Sequence, residues 1–288
     1  MATSLTTTVL VENTPVQDLR SEHGLSVHLG YVRDGKLTIL LLDFGQSDAF
    51  ACNASDLGIN LAEVDLAVLS HAHYDHADGM SAFFAANGHA PLYQSEACKE
   101  NCWSTKAGTT SPHYIGINPG LLDRHANRMA RVPIDRMSTI APGVHVVPHT
   151  TPGLADLGQQ AGMLLCVDDE YAPDDFAHEV SLVIELEPAP DRSPRLAVLN
   201  SCSHAGLPVI TREVLDAFPG ATIAAYVGGL HLVHASSADV ALVADAMRTA
   251  RIEQVYTGHC TGEQAICQLQ QALPGTVHAL YPGAVLCL

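Results

Sequence analysis

The sequence is short of positive charge. It contains 14 Lys and Arg residues against 31 Asp and Glu, and its formal net charge is −17. Nucleic-acid backbones and anionic membrane surfaces are bound by basic patches, so this balance argues against both as partners. Aromatic residues are also few, at 5% of the chain with a single Trp, whereas hydrophobic residues make up 47%. The composition is that of a globular protein with a core rich in Ala, Val and Leu.

The chain also lacks the segments that direct a protein to or across a membrane. No apolar run reaches the length of a membrane span, and the first eight residues have neither the basic start nor the apolar core of a secretory signal. We therefore expect a cytoplasmic protein. Its eight cysteines are scattered, and without a signal they are expected to be reduced core thiols. A chain of 288 residues can form one large α/β domain.

One short stretch, residues 70–76, reads Ser-His-Ala-His-Tyr-Asp-His. Three histidines and an aspartate this close together cannot share one face of a helix or strand, which predicts a turn. The apolar residues 64–69 before it predict a buried strand, and residues 78–86 after it predict a helix. A turn at the carboxyl end of a buried strand is a usual place for a site in α/β folds. Imidazole and carboxylate ligands suit Zn, Fe or Mn.

Three turns in the second half of the chain also deliver histidines. Buried strands are predicted over 195–200, 222–227 and 254–256, and the turns after them carry His204, His231 and His259. This shared position favours these three histidines as site residues over the remaining ones, because an isolated histidine elsewhere is more often on the surface or in the core.

The first half contains a predicted hairpin. Asp34-Gly35 separates two apolar runs, 25–33 and 36–43, and Asp-Gly in this context is a strong hairpin signal. The second run is apolar from 37 to 42, so we expect it to be buried on both faces. It ends at Asp43, where a buried carboxylate needs a partner.

Residues 94–143 lack clear periodicity, and such segments often form lids or binding loops. Within them, Arg124, Arg128 and Arg131 have i, i+4, i+7 spacing and would share one helical face. We predict that this face lies over the metal turn. Arg128 and Arg131 would then bind an anionic part of the substrate, because the planar guanidinium suits carboxylate and phosphate.

The stretch at 70–76 resembles the metal motif of the metallo-β-lactamase superfamily. Further segments resemble the branch of dihydropterin-ribofuranosylaminobenzene-phosphate synthase-like proteins, and these are residues 22–26, 42–47, 200–206, 228–232 and 256–262. The resemblance implies a four-layer αββα sandwich formed by a single domain over residues 1–288, with a lid-like insertion at about 94–143.

The resemblance also implies most of a ligand set. His71 and His73 would hold one metal, Asp75 and His76 the second, and His259 would be the last ligand. Asp43 would support the turn at 70–76 without being a metal ligand itself.

Two ligand positions stay open. The superfamily usually has a bridging aspartate where this chain has Cys202, and the branch motif adds His204; we favour His204 over Cys202. The third histidine of the superfamily has no clear match, and its candidates are His149, His178 and the neighbouring Glu179.

Two metal ions about 3.5–4 Å apart lower the pKa of a shared water and polarise a substrate oxygen. We expect one or two Zn²⁺ ions, with Fe or Mn as alternatives, and we assign Asp75 to orienting the water and His231 to the substrate or a metal. The hypothesis is a hydrolase that uses a metal-bound hydroxide on an ester, lactone, thioester or phosphoester of an anionic small molecule. A pterin-type condensing synthase and a non-enzymatic metal-binding or sensor module are alternatives, and a homo-oligomer is a further option.

Overall fold

The computed structural model of the protein describes residues 2–105, 111–190 and 193–288. In chain order its strands are β1 (Ala2–Val11), β2 (Ser26–Arg33), β3 (Lys36–Leu42), β4 (Leu66–Val68), β5 (Leu92–Ser95), β6 (Cys102–Ser104), β7 (His113–Tyr114), β8 (Met129–Val132), β9 (Ser138–Ala141), β10 (Val144–Pro148), β11 (Met163–Val167), β12 (Glu170–Pro173), β13 (Val180–Leu186), β14 (Arg195–Leu199), β15 (Thr222–Val227), β16 (Gln254–Thr257), β17 (Val277–Ala279) and β18 (Val285–Cys287). The α-helices are α1 (Ala49–Asp56), α2 (Tyr74–Ala77), α3 (Met80–Ala86), α4 (Leu121–Arg124), α5 (Leu154–Ala161), α6 (Leu207–Ala217), α7 (Ser237–Thr249) and α8 (Glu263–Ala272).

Within the described residues, two seven-stranded sheets form the centre of the molecule. The first has the strand order β18-β1-β2-β3-β4-β5-β8, and the second has the order β17-β16-β15-β14-β13-β10-β9. Strands β3, β4, β5 and β8 are parallel, as are β14 to β17. A smaller sheet, β12-β11-β6-β7, lies outside these two.

The hydrophobic core is divided into three clusters that define the layers. One cluster joins the inner faces of the two sheets, with residues such as Leu29 and Leu182. A second packs α1 and α3 on the first sheet, and a third packs α6, α7 and α8 on the second. Apolar side chains on both faces of each sheet require a covering layer on each side. The predicted αββα sandwich is therefore confirmed.

The predicted hairpin is present, but the burial of its second strand differs from the expectation. Asp34 and Gly35 have φ angles of 51° and 78°, as a two-residue hairpin turn requires. Strand β3 is buried only from Leu40 onward, and the side chain of Leu37 is 52% exposed. The start of β3 extends beyond its parallel neighbour β4, which pairs only with residues 40–42.

The segment 94–143, predicted as a lid, is shared among several parts of the fold. Strand β8 ends the first sheet and β9 ends the second, whereas β6 and β7 belong to the small sheet beside the site. Residues 106–110 lie outside the described residues. The described residues of this segment that border the site fall within 104–105 and 113–116.

Candidate metal centre

The predicted site residues come together at one edge of the sandwich. Residues 71–76 follow β4 and Asp43 follows β3 in the first sheet, whereas His204, His231 and His259 follow β14, β15 and β16 in the second. Parallel strands carry their carboxyl ends to the same edge of a sheet, so five separate turns meet there.

Strained backbone marks four of these five turns. Asp43, Ser203, His231 and His259 have φ angles between 50° and 58°, in the left-handed region that non-glycine residues rarely adopt. Such conformations cost free energy and concentrate where function requires them. Their repetition at adjacent strand ends indicates that the fold is held in this shape to position side chains.

His71, His73 and His204 form one group, which we call the first subsite. All three rings are buried, and their centroids lie 4.6–4.9 Å apart. The Nε2 atoms of His71 and His73 and both ring nitrogens of His204 have no hydrogen-bond partner among the described residues. Burial lowers the pKa of His73 to about 3 and holds the pKa values of His71 and His204 well below the ordinary value. The rings are therefore neutral, as metal ligation requires.

Asp75, His76 and His259 form the second subsite. The Nε2 atoms of His76 and His259 are 3.1 Å apart, and Oδ2 of Asp75 lies 3.5 Å from the former and 3.3 Å from the latter. Burial alone would lower the pKa of His76, but Asp75 and Asp43 outweigh it and raise this pKa to about 10. A cluster of inward-facing lone pairs and a carboxylate favours a positive charge at its centre, which a metal ion supplies.

Cys202 lies between the two subsites. Its Sγ is 3.3 Å from Nε2 of His76. The ligand atoms of His71, Cys202 and His204 lie within 4.8 Å of one another, and so do those of His76, Cys202 and His259. The two residues that the sequence left as alternatives, Cys202 and His204, are thus both at the site. Cys202 occupies the shared position and His204 the first subsite.

Asp43 lies directly behind the metal turn. Its carboxylate accepts hydrogen bonds from the backbone N–H of Ser70 at 2.7 Å, the Ser70 hydroxyl at 2.6 Å and Nδ1 of His76 at 2.8 Å. The Ser70 oxygen lies in turn 2.8 Å from Nδ1 of His71. Partners of this kind fix the ring orientation and tautomer of metal-binding histidines. The position is the one predicted for a bracing residue.

Glu179 and His178 were candidate ligands, and the structure gives their polar atoms other partners. Both carboxylate oxygens of Glu179 accept backbone N–H groups, from His204 and Ala205, at 2.8 Å. Nδ1 of His178 accepts the N–H of Ala72 at 3.2 Å, so its neutral ring carries the hydrogen on Nε2, which lies 3.0 Å from Asp174. Both residues support the turns that carry the ligands. A ligand atom of His178 also lies within 4.8 Å of one on His73, so metal binding by His178 or Glu179 stays a prediction.

His149, the remaining candidate for the third histidine, belongs to a buried chain of hydrogen bonds. Its Nδ1 is 2.8 Å from Glu213 and its Nε2 is 2.8 Å from the Ser181 hydroxyl. The amide of Asn200 donates to Ser181 and accepts the N–H of Ser203. Both ring nitrogens of His149 are thus occupied, and its role is to support the turn that carries Cys202 and His204.

A pocket of about 750 Å³ opens onto both subsites. His231 and Tyr74 lie in its wall together with residues of the small sheet, such as Ser104 and Met163. The ring of His231 is centred 4.6 Å from that of His204, and its Nδ1 is buried without a partner in the described structure. Burial lowers the pKa of His231, but Cys260 outweighs this and the net shift is upward. His231 therefore presents an unpartnered ring nitrogen beside the first subsite.

The predicted arginine face does not exist. Helix α4 ends at Arg124, Arg128 ends a separate 3₁₀ turn, and Arg131 lies in strand β8. The guanidinium of Arg128 donates to Asn87 and Ala90 and stacks on Phe84, with Cζ 4.8 Å from the ring centre. Neither Arg128 nor Arg131 is among the described residues that line the pocket. The predicted helical face is therefore wrong, whereas substrate binding by Arg128 and Arg131 stays a prediction.

Two site residues were not predicted as such. His23 places Nε2 3.3 Å from Oδ2 of Asp75, and Asn13 places Oδ1 2.8 Å from Nδ1 of His259. The residue pair Glu22-His23 lies in a segment that resembles the synthase-like branch, which was the available signal for His23. Asn13 follows the first strand and has no local signal, because its partner is 246 residues away.

Comparison with known proteins agrees with this geometry. The family model described as the metallo-beta-lactamase superfamily matches residues 24–160. A 7,8-dihydropterin-6-methyl-4-(β-D-ribofuranosyl)-aminobenzene-5′-phosphate synthase from Methanocaldococcus jannaschii is 22% identical over 92% of this chain and 90% of its own. The predicted resemblance to this superfamily and branch is confirmed.

Two solved structures have the same fold. A metal-dependent hydrolase of the beta-lactamase superfamily superposes with a TM-score of 0.79, at 25% identity over 98% of each chain. A diphosphatase from the PhnP family superposes with a TM-score of 0.52, at 16% identity over 100% of this chain and 98% of its own. These relatives are enzymes, and the prediction that this chain is an enzyme is confirmed. No helix in the described part of the chain is long and apolar enough to cross a membrane.

The metal ions that this family binds fit the residues present. The unpartnered nitrogens of the first subsite are buried, and unpartnered buried polar atoms are rare in folded proteins. Imidazole, carboxylate and thiolate are the ligands that Zn²⁺ and related ions prefer.

Proposed function

We propose that the protein is a dinuclear metallohydrolase that acts on an ester, lactone, thioester or phosphoester, with Zn²⁺ as the expected ion. The observation that carries the proposal is the pair of buried ligand groups that share Cys202 and open into one pocket. When bound, two such ions supply a deprotonated water near neutral pH and polarise a substrate oxygen.

The protein's own residues have separate tasks in this proposal. His71, His73 and His204 would hold one ion and Asp75, His76 and His259 the other, with Cys202 between them. The carboxylate of Asp75 orients the attacking water. His231, which lines the pocket beside His204, protonates the leaving group.

The substrate is proposed to be a small anionic molecule. The described pocket wall contains neither Lys nor Arg, so an anionic group would rely on the metals, the histidines and polar groups such as Ser104 and Thr105. The strongly negative chain argues against nucleic acid and membranes as partners, and a cytoplasmic location remains part of the proposal.

The test begins with metal analysis. Purified protein should contain one to two equivalents of a transition metal, and a His71→Ala/His73→Ala/Asp75→Ala variant should lose it together with turnover. His278→Ala is a matched control, because this histidine bonds to Gln254 away from the site. Unchanged metal content in the triple variant would refute the proposal.

A condensing synthase is the second candidate function. It is favoured by the relative from Methanocaldococcus jannaschii, which is named as a synthase and aligns over most of both chains. Product mass separates the two candidates. Hydrolysis adds water to the substrate, whereas condensation joins two substrates with loss of a leaving group.

A further inference from the structure

The side-chain amide of Asn13 lies among three groups at the edge of the second subsite. Its Oδ1 is 2.8 Å from Nδ1 of His259 and 3.2 Å from the backbone nitrogen of Gly24. Its Nδ2 is 3.1 Å from Nδ1 of His23. One amide therefore contacts two histidines, one of which is a candidate ligand.

Gly24 fixes which way this amide points. A backbone N–H can only donate, so the Asn13 atom facing Gly24 must be the oxygen. The position of Gly24 is itself constrained, because a Cβ there would come within 2.5 Å of the Asp75 carbonyl oxygen. The orientation of Asn13 thus follows from the packing of residue 24 on the metal turn.

This orientation determines the hydrogen positions on both histidines. Oδ1 of Asn13 accepts, so His259 must carry a hydrogen on Nδ1, which leaves the Nε2 lone pair facing His76 and Asp75. Nδ2 of Asn13 donates, so His23 must accept on Nδ1 and carry its hydrogen on Nε2. If His23 were protonated on both nitrogens, its Nδ1–H would point at the N–H of Asn13 Nδ2, and two donors would face each other.

His23 then faces Asp75 as a donor. Its Nε2 lies 3.3 Å from Oδ2 of Asp75, the same oxygen that approaches His259. The ligand atoms of His23, Asp75 and His259 lie close enough together to hold a metal. In the tautomer that Asn13 requires, however, His23 has no lone pair for a metal and restrains the Asp75 carboxylate instead.

We propose that Asn13 is a positioning residue that sets opposite tautomers on two neighbouring histidines, making His259 a metal ligand and His23 a hydrogen-bond donor to Asp75. The consequence for metal binding rests on the proposed function, whereas the tautomers can be observed without metal.

The direct test is nitrogen NMR of ¹⁵N-histidine-labelled, metal-free protein. Wild type should show His259 with its hydrogen on Nδ1 and His23 with its hydrogen on Nε2. Asn13→Asp keeps the acceptor for His259 but replaces the donor for His23 with an acceptor, so His23 alone should gain a hydrogen on Nδ1 while keeping the one that faces Asp75 on Nε2. Asn13→Leu should release both rings.

Metal affinity gives a second readout. Competition with a chelator should show that Asn13→Leu weakens the second ion by about 10–100-fold, as loss of a partner behind a ligand does. Asn87→Asp is the matched control. It removes a buried amide that donates to Leu61 and Val64, so it should lower stability without altering either tautomer.

The proposal is overturned if His23 carries its hydrogen on Nδ1 in wild type, or if Asn13→Asp leaves His23 unchanged. The near-isosteric Asn13→Asp keeps the test valid should Asn13→Leu fail to fold. Failure of wild type to bind any transition metal would instead refute the proposed function. The tautomers of His23 and His259 would still be tested separately by NMR of the metal-free protein.

Discussion

Oδ2 of Asp43 lies 2.8 Å from Nδ1 of His76, and both side chains are completely buried. The contact joins the end of β3 to the turn after β4. It directs the Nε2 lone pair of His76 toward the second subsite, and it places a negative charge behind that subsite.

Asp43→Asn is expected to weaken metal binding by about 10–100-fold. An asparagine oxygen can still accept the Ser70 N–H, but its NH₂ group would then face Nδ1 of His76, where another donor stands. His76 would have to move its hydrogen to Nε2 and would lose its metal-binding lone pair. Chelator competition on the purified variant measures the effect.

Asp65→Asn is the control for this change. Asp65 is an exposed aspartate next to β4 whose carboxylate accepts the N–H of Ile39. Its metal affinity should equal that of wild type. Wild-type affinity in Asp43→Asn as well would show that the contact does not support the second subsite.

Cys202→Ser tests the sulfur between the two subsites. Protein loaded with Co²⁺ should show a thiolate-to-cobalt charge-transfer absorption in the near ultraviolet, because Cys202 Sγ approaches ligands of both groups. The serine variant should lose this absorption and bind soft metals less tightly.

Two other buried thiols serve as controls for the spectrum. Cys98 lies in the core cluster that packs on the first sheet, and Cys260 lies beside His231. Both are outside the ligand groups found among the described residues. Cys98→Ser and Cys260→Ser should both keep the absorption. Loss of the absorption band in Cys260→Ser together with its retention in Cys202→Ser would show that the metal-bound sulfur belongs to Cys260, and would contradict the assignment to Cys202.

The sequence was informative about the site where local pattern and topology agree. The dense stretch at 70–76 lies next to a buried strand, and His204, His231 and His259 lie at strand ends, so the rule for parallel sheets brings them together. The same reasoning could not separate Cys202 from His204, because they are two residues apart on one turn. Only the three-dimensional turn shows that the side chains of both residues lie at the two subsites.

The errors have a different physical origin. Arg128 and Arg131 were placed on a helical face by spacing alone, but the chain turns into an edge strand at residue 129. His178 and Glu179, whose metal-binding role stays a prediction, accept backbone N–H groups from turns distant in sequence. Asn13 contacts the ring of His259, which is 246 residues away in the sequence. Contacts of this kind depend on tertiary packing, which residue spacing does not encode.

Arg128→Ala is expected to destabilise the protein without changing KM for the substrate. The guanidinium donates to the carbonyl oxygens of Asn87 and Ala90 and stacks on Phe84, and we expect its loss to cost about 2–3 kcal/mol in the free energy of unfolding. Denaturant titration measures this cost. KM should stay at the wild-type value once a substrate is known.

Arg131→Ala is the companion variant, because no pocket contact involves this residue in the described structure. Its KM should also be unchanged. A KM that rises in both variants while metal content stays constant would restore the arginines to substrate binding and contradict the structure.

Glu213→Gln should reduce stability in a pH-dependent way. Burial raises the pKa of Glu213, but bonds from His149 and Thr151 outweigh it and lower this pKa to about 2, from an ordinary value of 4.5. A carboxyl group with a lowered folded-state pKa stabilises the protein above its unfolded-state pKa. The stabilisation should therefore be complete above pH 4.5 and disappear as the pH falls toward 2.

The measurement is the difference in free energy of unfolding between wild type and Glu213→Gln at several pH values. Near pH 7 it should be about 2 kcal/mol, since charge-assisted hydrogen bonds are lost, and it should shrink below pH 4.5. Taking the difference cancels the titration of other carboxylates. Glu253→Gln, which removes a partly exposed ion pair with Arg195, should change stability by less than about 1 kcal/mol. A difference for Glu213→Gln that does not vary between pH 7 and pH 2 would mean that the His149 chain does not depend on this charge.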